Sequence, residues 1–336
     1  MALGPVALAN NLVLAPMHKR THLAFRLLAR RAGAAMTHTE MATPEDLLGH
    51  PRYRGGNRRK GVNMLASTPE DRPLGVQILP EEPGLLAETV AFVAAQNAGE
   101  LIDLNFACPS HRVSGSGRGA AFLRKPDEAM RLVETALRAG PLPVTLKMRL
   151  GWTDSPEDRA LALELARAAV AAGVVGITLH ARSAVQQYHG TADWPAIARW
   201  AELLPAPVFG SGDLRSPEAI LAMLRQTGAA GAAIARGSVG SPWVFRQVLE
   251  LDATGSYQPV TMAERARAFL QHYEGLVHQY GPHGGLKLMC EVGRMYTRGI
   301  PGAPEARVAI QSARSPEDLV AIAVRWFEYP PPQPGT

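Results

Sequence analysis

The chain has 336 residues, 46% of them hydrophobic and 19% charged, with a formal net charge of +5. That balance excludes a disordered or low-complexity protein and leaves chain enough for one domain of roughly 250 residues plus a small second one. Thirty of the 35 basic residues are arginines; the mild excess permits a polyanionic partner without demanding one, and base composition alone also accounts for the arginine bias.

The first 17 residues are uncharged, but no basic segment leads them, and Pro5, Asn10 and Asn11 interrupt the apolar run, which argues against a secretory signal. Short β-rich runs at 12–15, 35–39, 74–78, 102–106, 144–148, 176–179, 207–210 and 232–235 predict strands. Between them, Ala/Leu-rich segments at 85–97, 126–139, 156–172, 195–203 and 217–226 predict helices. Ser155-Pro156-Glu157 and Ser216-Pro217-Glu218 each set a serine at the N-cap, proline at the first helical position and an acid in the first turn. Eight strand–helix alternations predict an α/β fold closed as a (β/α)8 TIM barrel. An open doubly wound sheet is disfavoured because no G-x-G-x-x-G follows the first strand. Past residue 260 the β signal disappears, and helices are predicted at 262–280, 285–298 and 316–327. The expected organisation is a barrel over 1–250, a small all-helical C-terminal domain over 258–329 and a Pro-rich tail over 330–336. The longest apolar candidate, 161–181, contains Glu164 and Arg167, so no membrane span is expected. Cys108 and Cys290 are too few for a disulfide framework or a four-cysteine zinc site. A reduced, cytoplasmic, metal-free monomer is the expectation.

Barrel chemistry sits at the C-terminal ends of strands, and polar groups recur there. The first strand ends Ala15-Pro16-Met17, the second Thr39-Glu40-Met41, and the third carries Gln77. The fourth runs from Asp103 through Asn105 to Cys108-Pro109, the fifth carries Lys147 and Arg149, and the sixth His180 and Arg182. The seventh ends Ser211-Gly212-Asp213 and the eighth Ala235-Arg236-Gly237. The last two are Gly-rich turns, either a phosphate cradle or ordinary βα turns. Lys147 suits the N1–C2=O edge of a flavin, where a cation stabilises the reduced ring; the alternative is a snorkelling lysine at the strand end. Cys108, before the flexible loop 114–119, is either a general acid or an inert buried thiol. His180 is either a phosphate or carbonyl contact or a satisfied core histidine. Arg52, Arg54, Arg58, Arg59 and Lys60 form a basic run, a solvated surface or an RNA contact. Lys287, Arg294 and Arg298 recur at spacings that share one helix face.

With these residues laid out, the chain resembles the tRNA-dihydrouridine synthase family over almost its whole length. The resemblance is carried by LAPM at 14–17, FRLLARRAGA at 25–34, DLNFACPS at 103–110, PVTLKMRLGW at 143–152, HARSAVQQYHGTADW at 180–194, SGDLRSPE at 211–218 and ARGSVGSPWVF at 235–245. It implies an FMN-bound barrel, reduced by NADPH, with a helical domain that grips tRNA and hydride transfer to C6 of an extruded uracil. By matching, Cys108 is the acid that protonates C5 and Asn105 the residue that orients the base. Ala15, Pro16, Met17, Gln77, Lys147, His180, Ser211, Gly212, Asp213, Ala235 and Arg236 fall on flavin contacts; Arg182, Arg294 and Arg298 are the candidate RNA contacts. The chain departs from the family pattern at 18–22, where His-Lys-Arg-Thr-His replaces a stretch that is often A-G-V-T-D. It departs again at Ser211 for asparagine, at Ala235 for glycine, and in lacking an R-K-H cluster near 290–294. Two further readings compete: a free-pyrimidine flavin oxidoreductase, which the basic helical appendage disfavours, and a non-catalytic RNA-binding relative, which Cys108, Asn105 and Lys147 disfavour.

Overall fold

The computed structural model describes residues 1–49 and 64–328. The basic run from Arg52 to Lys60 and the Pro-rich tail lie outside the described residues.

A small antiparallel hairpin, β1 (Ala2–Leu3) and β2 (Val6–Ala7), precedes eight parallel strands. These are β3 (Leu12–Leu14), β4 (Thr37–His38), β5 (Leu74–Ile78), β6 (Leu101–Phe106), β7 (Val144–Arg149), β8 (Gly176–His180), β9 (Val208–Ser211) and β10 (Gly231–Ile234). Each lies beside its sequence neighbour from β4 to β10, β10 pairs with β3, and a parallel bridge between Val13 and Met36 closes the ring. This is the expected TIM barrel. Helices α1 (Leu23–Arg31), α2 (Pro44–Leu48), α3 (Pro83–Ala95), α4 (His111–Ser114), α5 (Pro126–Arg138), α6 (Pro156–Ala172), α7 (Trp194–Leu203), α8 (Pro217–Thr227) and α9 (Val244–Thr254) fill the connections. The caps work as the sequence implies: Ser155 accepts from the Asp158 amide and Ser216 from the Ala219 amide, each with proline in the first turn.

Strand alternation sorts the side chains. In β6, Ile102, Leu104 and Phe106 face outward into the apolar layer under the helices, while Asp103 and Asn105 face the barrel axis. The barrel floor is apolar and is stoppered by the hairpin: Leu3, Val6 and Leu8 pack with Val13, Met36 and Phe209. The stopper needs glycine at 176, since a Cβ there would lie 2.5 Å from Leu3 Cδ2. The hairpin has no counterpart among the predicted elements because its two-residue strands are too short to show alternation.

The C-terminal segment builds a second core from α10 (Met262–Val292), a 3-10 turn (Gly293–Thr297), α11 (Ala303–Ser312) and α12 (Pro316–Phe327), centred on Phe269, Leu276, Met289, Tyr296 and Phe327. Helix α10 kinks at Gly281 (φ 73°) ahead of Pro282. Because α10 ends at Val292, Lys287 and Arg298 do not share one continuous helix: Arg294 lies in the 3-10 turn and Arg298 just past it.

Helices α1 and α10 join the two cores, with Ala24 of α1 entering the second. At their contact a chain of imidazoles is buried. His22 caps α1 by accepting from the Phe25 amide at Nδ1 (3.4 Å), which leaves its proton on Nε2, 3.4 Å from His272 Nε2. His272 Nδ1 in turn lies 3.1 Å from the Tyr296 hydroxyl. Burial, then the nearby Arg20 guanidinium, pushes the His272 pKa down to about 3. Below the ordinary histidine pKa of about 6.5 the unfolded chain therefore takes up a proton that the folded chain refuses, and stability is lost as the pH falls from there toward 3. One such histidine costs about 2 kcal/mol between roughly pH 6.5 and pH 5. Urea unfolding of His272→Gln should lack that increment of acid sensitivity; His180, also held neutral, contributes to both proteins and cancels in the difference. Identical pH profiles for the two proteins would refute the assignment.

Candidate active site

A packed TIM barrel carries Val, Ile and Leu through its interior layers; here the upper layers are polar. Neighbouring strands set Gln77 beside Asp103, Asp103 beside Thr145, Asn105 beside Lys147, and Arg149 beside His180. The polar groups survive burial by bonding one another. Thr145 Oγ1 donates to Asp103 Oδ1 (2.8 Å), Gln77 Nε2 donates to Asp103 Oδ2 (2.7 Å), and Asn105 Nδ2 donates to Gln77 Oε1 (2.9 Å).

This relay ends on the reactive turn. Asn105 Oδ1 accepts from the backbone amides of Ala107 (3.0 Å) and Cys108 (2.9 Å), so the turn leaving β6 is held by a side chain rooted in the barrel. Cys108 is half-buried, its Sγ 3.6 Å from Ser110 Oγ. The Asn105 carboxamide is fully engaged, its second donor N–H pointing at Met41 Sδ (3.6 Å). It shapes the Cys108 turn. Gln77 is likewise committed at both ends of its amide.

Lys147 is the exception to mutual satisfaction. Its ammonium makes no hydrogen bond or ion pair with any of the described residues, yet it lies deep in the protein, and burial pushes its pKa down to about 8. Arg149 adds to that fall, while Asp103 and Cys108 oppose it. The side chain retains some accessible surface.

Arg149 was noted in the sequence without a role. It is 1% exposed and braces the mouth: Nε donates to Ala107 O (2.8 Å), and Nη1 donates to Ser183 O and Gln187 O (2.8 Å each). It thereby ties the Cys108 turn to the loop after β8. In that loop Tyr188 is exposed, its ring 5.9 Å from the His180 ring, 5.4 Å from the Arg149 guanidinium and 4.4 Å from that of Arg236. Tyr188 lies within the HARSAVQQYHGTADW segment at 180–194 but was not among the site residues that sequence reasoning named. His180 is held neutral, its pKa well below 6.5 through burial first and then Arg149, Lys147, Arg182 and Arg236.

Arg182 departs from its expected RNA role. It is 1% exposed, donates from Nη2 to both Asp213 oxygens (2.9 and 2.7 Å) and to Gly190 O (2.6 Å), and donates from Nε to His189 O (3.0 Å). A guanidinium so enclosed cannot reach a surface polyanion. Burial alone would raise the Asp213 pKa, but Arg182 and the Ala192 amide hold it below the usual range. The Asp213 side chain is thus tied inward, and Gly212 and Asp213 take positive φ (124° and 58°). The turn after β10 abuts this one, because a Cβ on Gly237 would fall within 2.1 Å of Leu214 O. Ala15 is buried with its amide bonded to Ile234 O (3.0 Å), Ser211 is buried, and Pro16, Met17 and Ala235 are half-buried at the rim. Arg294 is half-buried and Arg298 exposed.

Among the described residues no cluster of His, Cys, Asp and Glu could hold a metal ion, and no helix is long and apolar enough to cross a membrane. The overall architecture is shared with histamine dehydrogenase from Rhizobium sp. 4-9, at a TM-score of 0.56 and 15% identity over 82% of this chain and 50% of that one, a likeness of fold alone. This chain therefore spans about half the length of that enzyme. In sequence it is 33% identical to tRNA-dihydrouridine synthase B of Xanthomonas campestris pv. campestris over 99% of this chain and 98% of the relative. It is also 33% identical to tRNA-dihydrouridine synthase B of Pseudomonas aeruginosa, over 97% and 95%. The profile described as "Dihydrouridine synthase (Dus)" matches residues 13–325, and the chain belongs to the dihydrouridine synthase family.

Proposed function

We propose that this protein reduces uridine in tRNA to 5,6-dihydrouridine, with FMN as cofactor, NADPH as reductant and Cys108 as the proton donor at C5, acting in the cytoplasm. The observation that carries this reading is the pairing of a half-buried thiol, its turn fixed by Asn105, with an ammonium on the neighbouring strand that bonds none of the described residues. Membership of the family supports the substrate.

The residues fit a flavin. Lys147 offers a positive charge to which no anion of the described residues is bonded, and which an electron-rich ring edge or its carbonyl would satisfy. His180 offers a neutral ring nitrogen, and the abutting turns after β9 and β10 offer backbone amides for a phosphate. When bound, the flavin supplies the hydride that goes to C6 of the uracil. Hydride addition there develops negative charge toward C5 and O4, so a proton must arrive at C5, and Cys108 Sγ–H is the donor. Asn105 and Arg149 are positioning residues: both hold the turn that carries Cys108. Tyr188 gives the rim an exposed aromatic face on which a base taken out of its stack can rest.

Dihydrouridine formed in unmodified tRNA, quantified by mass spectrometry, tests the assignment. Cys108→Ala should lower the rate of product formation by about 10²- to 10⁴-fold while NADPH still bleaches the bound flavin at the parent rate. An undiminished yield would remove the cysteine from the reaction. Lys147 predicts a pH effect on cofactor binding. Above pH 8 the free ammonium is lost, whereas an anionic ligand holds the proton on, so binding takes up a proton there. Flavin affinity should therefore fall by up to about tenfold per pH unit above 8, and Lys147→Met should bind weakly with a flat profile over the same range. A flat parent profile would exclude Lys147 from the cofactor's charge.

A further inference from the structure

The segment that leaves Cys108 closes back on it. Ala120 donates its amide to Cys108 O (3.1 Å), and between these two residues the polar groups bond one another. The Val113 and Ser114 amides donate to Ser110 O, that of Gly115 to His111 O and that of Arg118 to Val113 O, while the Ser114 and Ser116 hydroxyls donate to Ser110 O and Val113 O. The fit against the cysteine is close. Gly119 takes a positive φ of 59°, and a Cβ there would lie 2.8 Å from Cys108 O and 3.2 Å from Cys108 Cβ. A movement of Gly119 is therefore passed to the backbone of Cys108.

Among the described residues, one hydrogen bond or ion pair joins the stretch from Pro109 to Gly119 to the rest of the protein: the Arg118 guanidinium pairs through Nη2 with the Glu81 carboxylate in the loop after β5. The acid stands on a fixed footing. Its neighbour Glu82 caps α3 by accepting from the amides of Gly84 (2.9 Å) and Leu85 (2.8 Å), and Leu79 donates its amide to Ala42 O (2.8 Å). Arg118 is mostly covered, with 23% of its side chain exposed and Nε buried without a hydrogen bond. A partly exposed pair of this kind adds little to stability. What it supplies is position, one residue away from the glycine that rests on Cys108.

We propose that Arg118 is a positioning residue for the proton transfer to C5, and that its pair with Glu81 holds Cys108 from the side that Asn105 and Arg149 do not reach. The proposal deepens the reading given above and rests on it. Asn105 takes the amides of Ala107 and Cys108, and Arg149 takes Ala107 O, so both act on the chain that leads into the cysteine. The chain that leaves it is bonded at Cys108 O, covered by Gly119 and tied to the neighbouring loop by Arg118 alone. A proton donor must come within hydrogen-bond reach of the reacting atom, and a misplacement of about 1 Å costs about a hundredfold in rate. A grip on RNA is the other use for a basic group at this edge of the mouth. The Glu81 carboxylate disfavours it, because the charge of Arg118 is already answered.

The test takes the flavin-loaded full chain, reduced anaerobically with dithionite, mixes it with saturating unmodified tRNA and follows reoxidation of the flavin. Glu81→Gln and Arg118→Gln should each slow reoxidation by about tenfold to a hundredfold. The double variant should be no slower than either single, because the two groups act as one pair, and Arg118→Lys should recover most of the rate. The Kd for tRNA should keep its parent value in all of them. Iodoacetamide should modify Cys108 several-fold faster in the glutamine variants, read by peptide mass spectrometry, which separates this thiol from Cys290. Reoxidation at the parent rate in either glutamine variant would overturn the proposal and leave the proposed function standing. Weaker tRNA binding in Arg118→Gln and tighter binding in Glu81→Gln, with reoxidation at saturation unaltered, would give the pair to the RNA and overturn it too. Slow reoxidation with unchanged alkylation of Cys108 would show that the pair acts elsewhere than on the cysteine, and would likewise overturn it. A parent whose reduced flavin tRNA does not reoxidise would overturn both the reaction and the positioning role.

Discussion

A polar layer buried inside a parallel barrel is the constraint on which this protein turns. An unpaired polar group in such a place costs about 1–3 kcal/mol, and an unpaired charge more. Thr145, Asp103, Gln77 and Asn105 meet that cost as a bonded series from strand to strand, and Arg149 meets it with three backbone carbonyls. The network stops where the chemistry begins. Its last acceptor, Asn105 Oδ1, is given to the amides of the cysteine turn, and Lys147 stands beside it with a charge that no described residue bonds. Rigidity and reactivity are thus divided between adjacent positions of β6 and β7.

Buried charge is met in the same way at the mouth. Arg182 and Asp213 neutralise each other inside the rim and fix the turn after β9. Arginine abundance, which composition alone leaves ambiguous, resolves into separate uses: a buried brace at Arg149, an internal clamp at Arg182 and a structural pair between Arg26 and Asp71 at 2.9 Å.

The departures at 18–22 also find a physical place. His22 faces His272 across the α1–α10 contact, so the two cores meet through a pair of imidazoles and the Tyr296 hydroxyl. Lys19 donates its amide to Glu40 Oε2 (2.7 Å), and Arg20 feels Glu291 and Arg294 of the helical segment as well as Glu40. The loop after β3 therefore links the barrel mouth to the second core through charge as well as packing.

The sequence by itself determined the barrel, most of its strands to within a residue or two, the capped helices at 156 and 217, and the family, because alternation, proline-capped starts and motif spacing are local properties of a chain. It also marked Cys108, Asn105 and Lys147. What only the tertiary structure decided was how those groups are used. What the Asn105 amide donates to depends on Gln77, 28 residues away, and whether Arg182 meets solvent depends on Asp213, 31 residues away. The short hairpin under the barrel, the break between α10 and Arg298, and the pairing of Arg118 with Glu81 are likewise matters of packing. Hydrogen-bond partners and burial are set by strand register and helix docking, which bring together residues that no window along the chain contains.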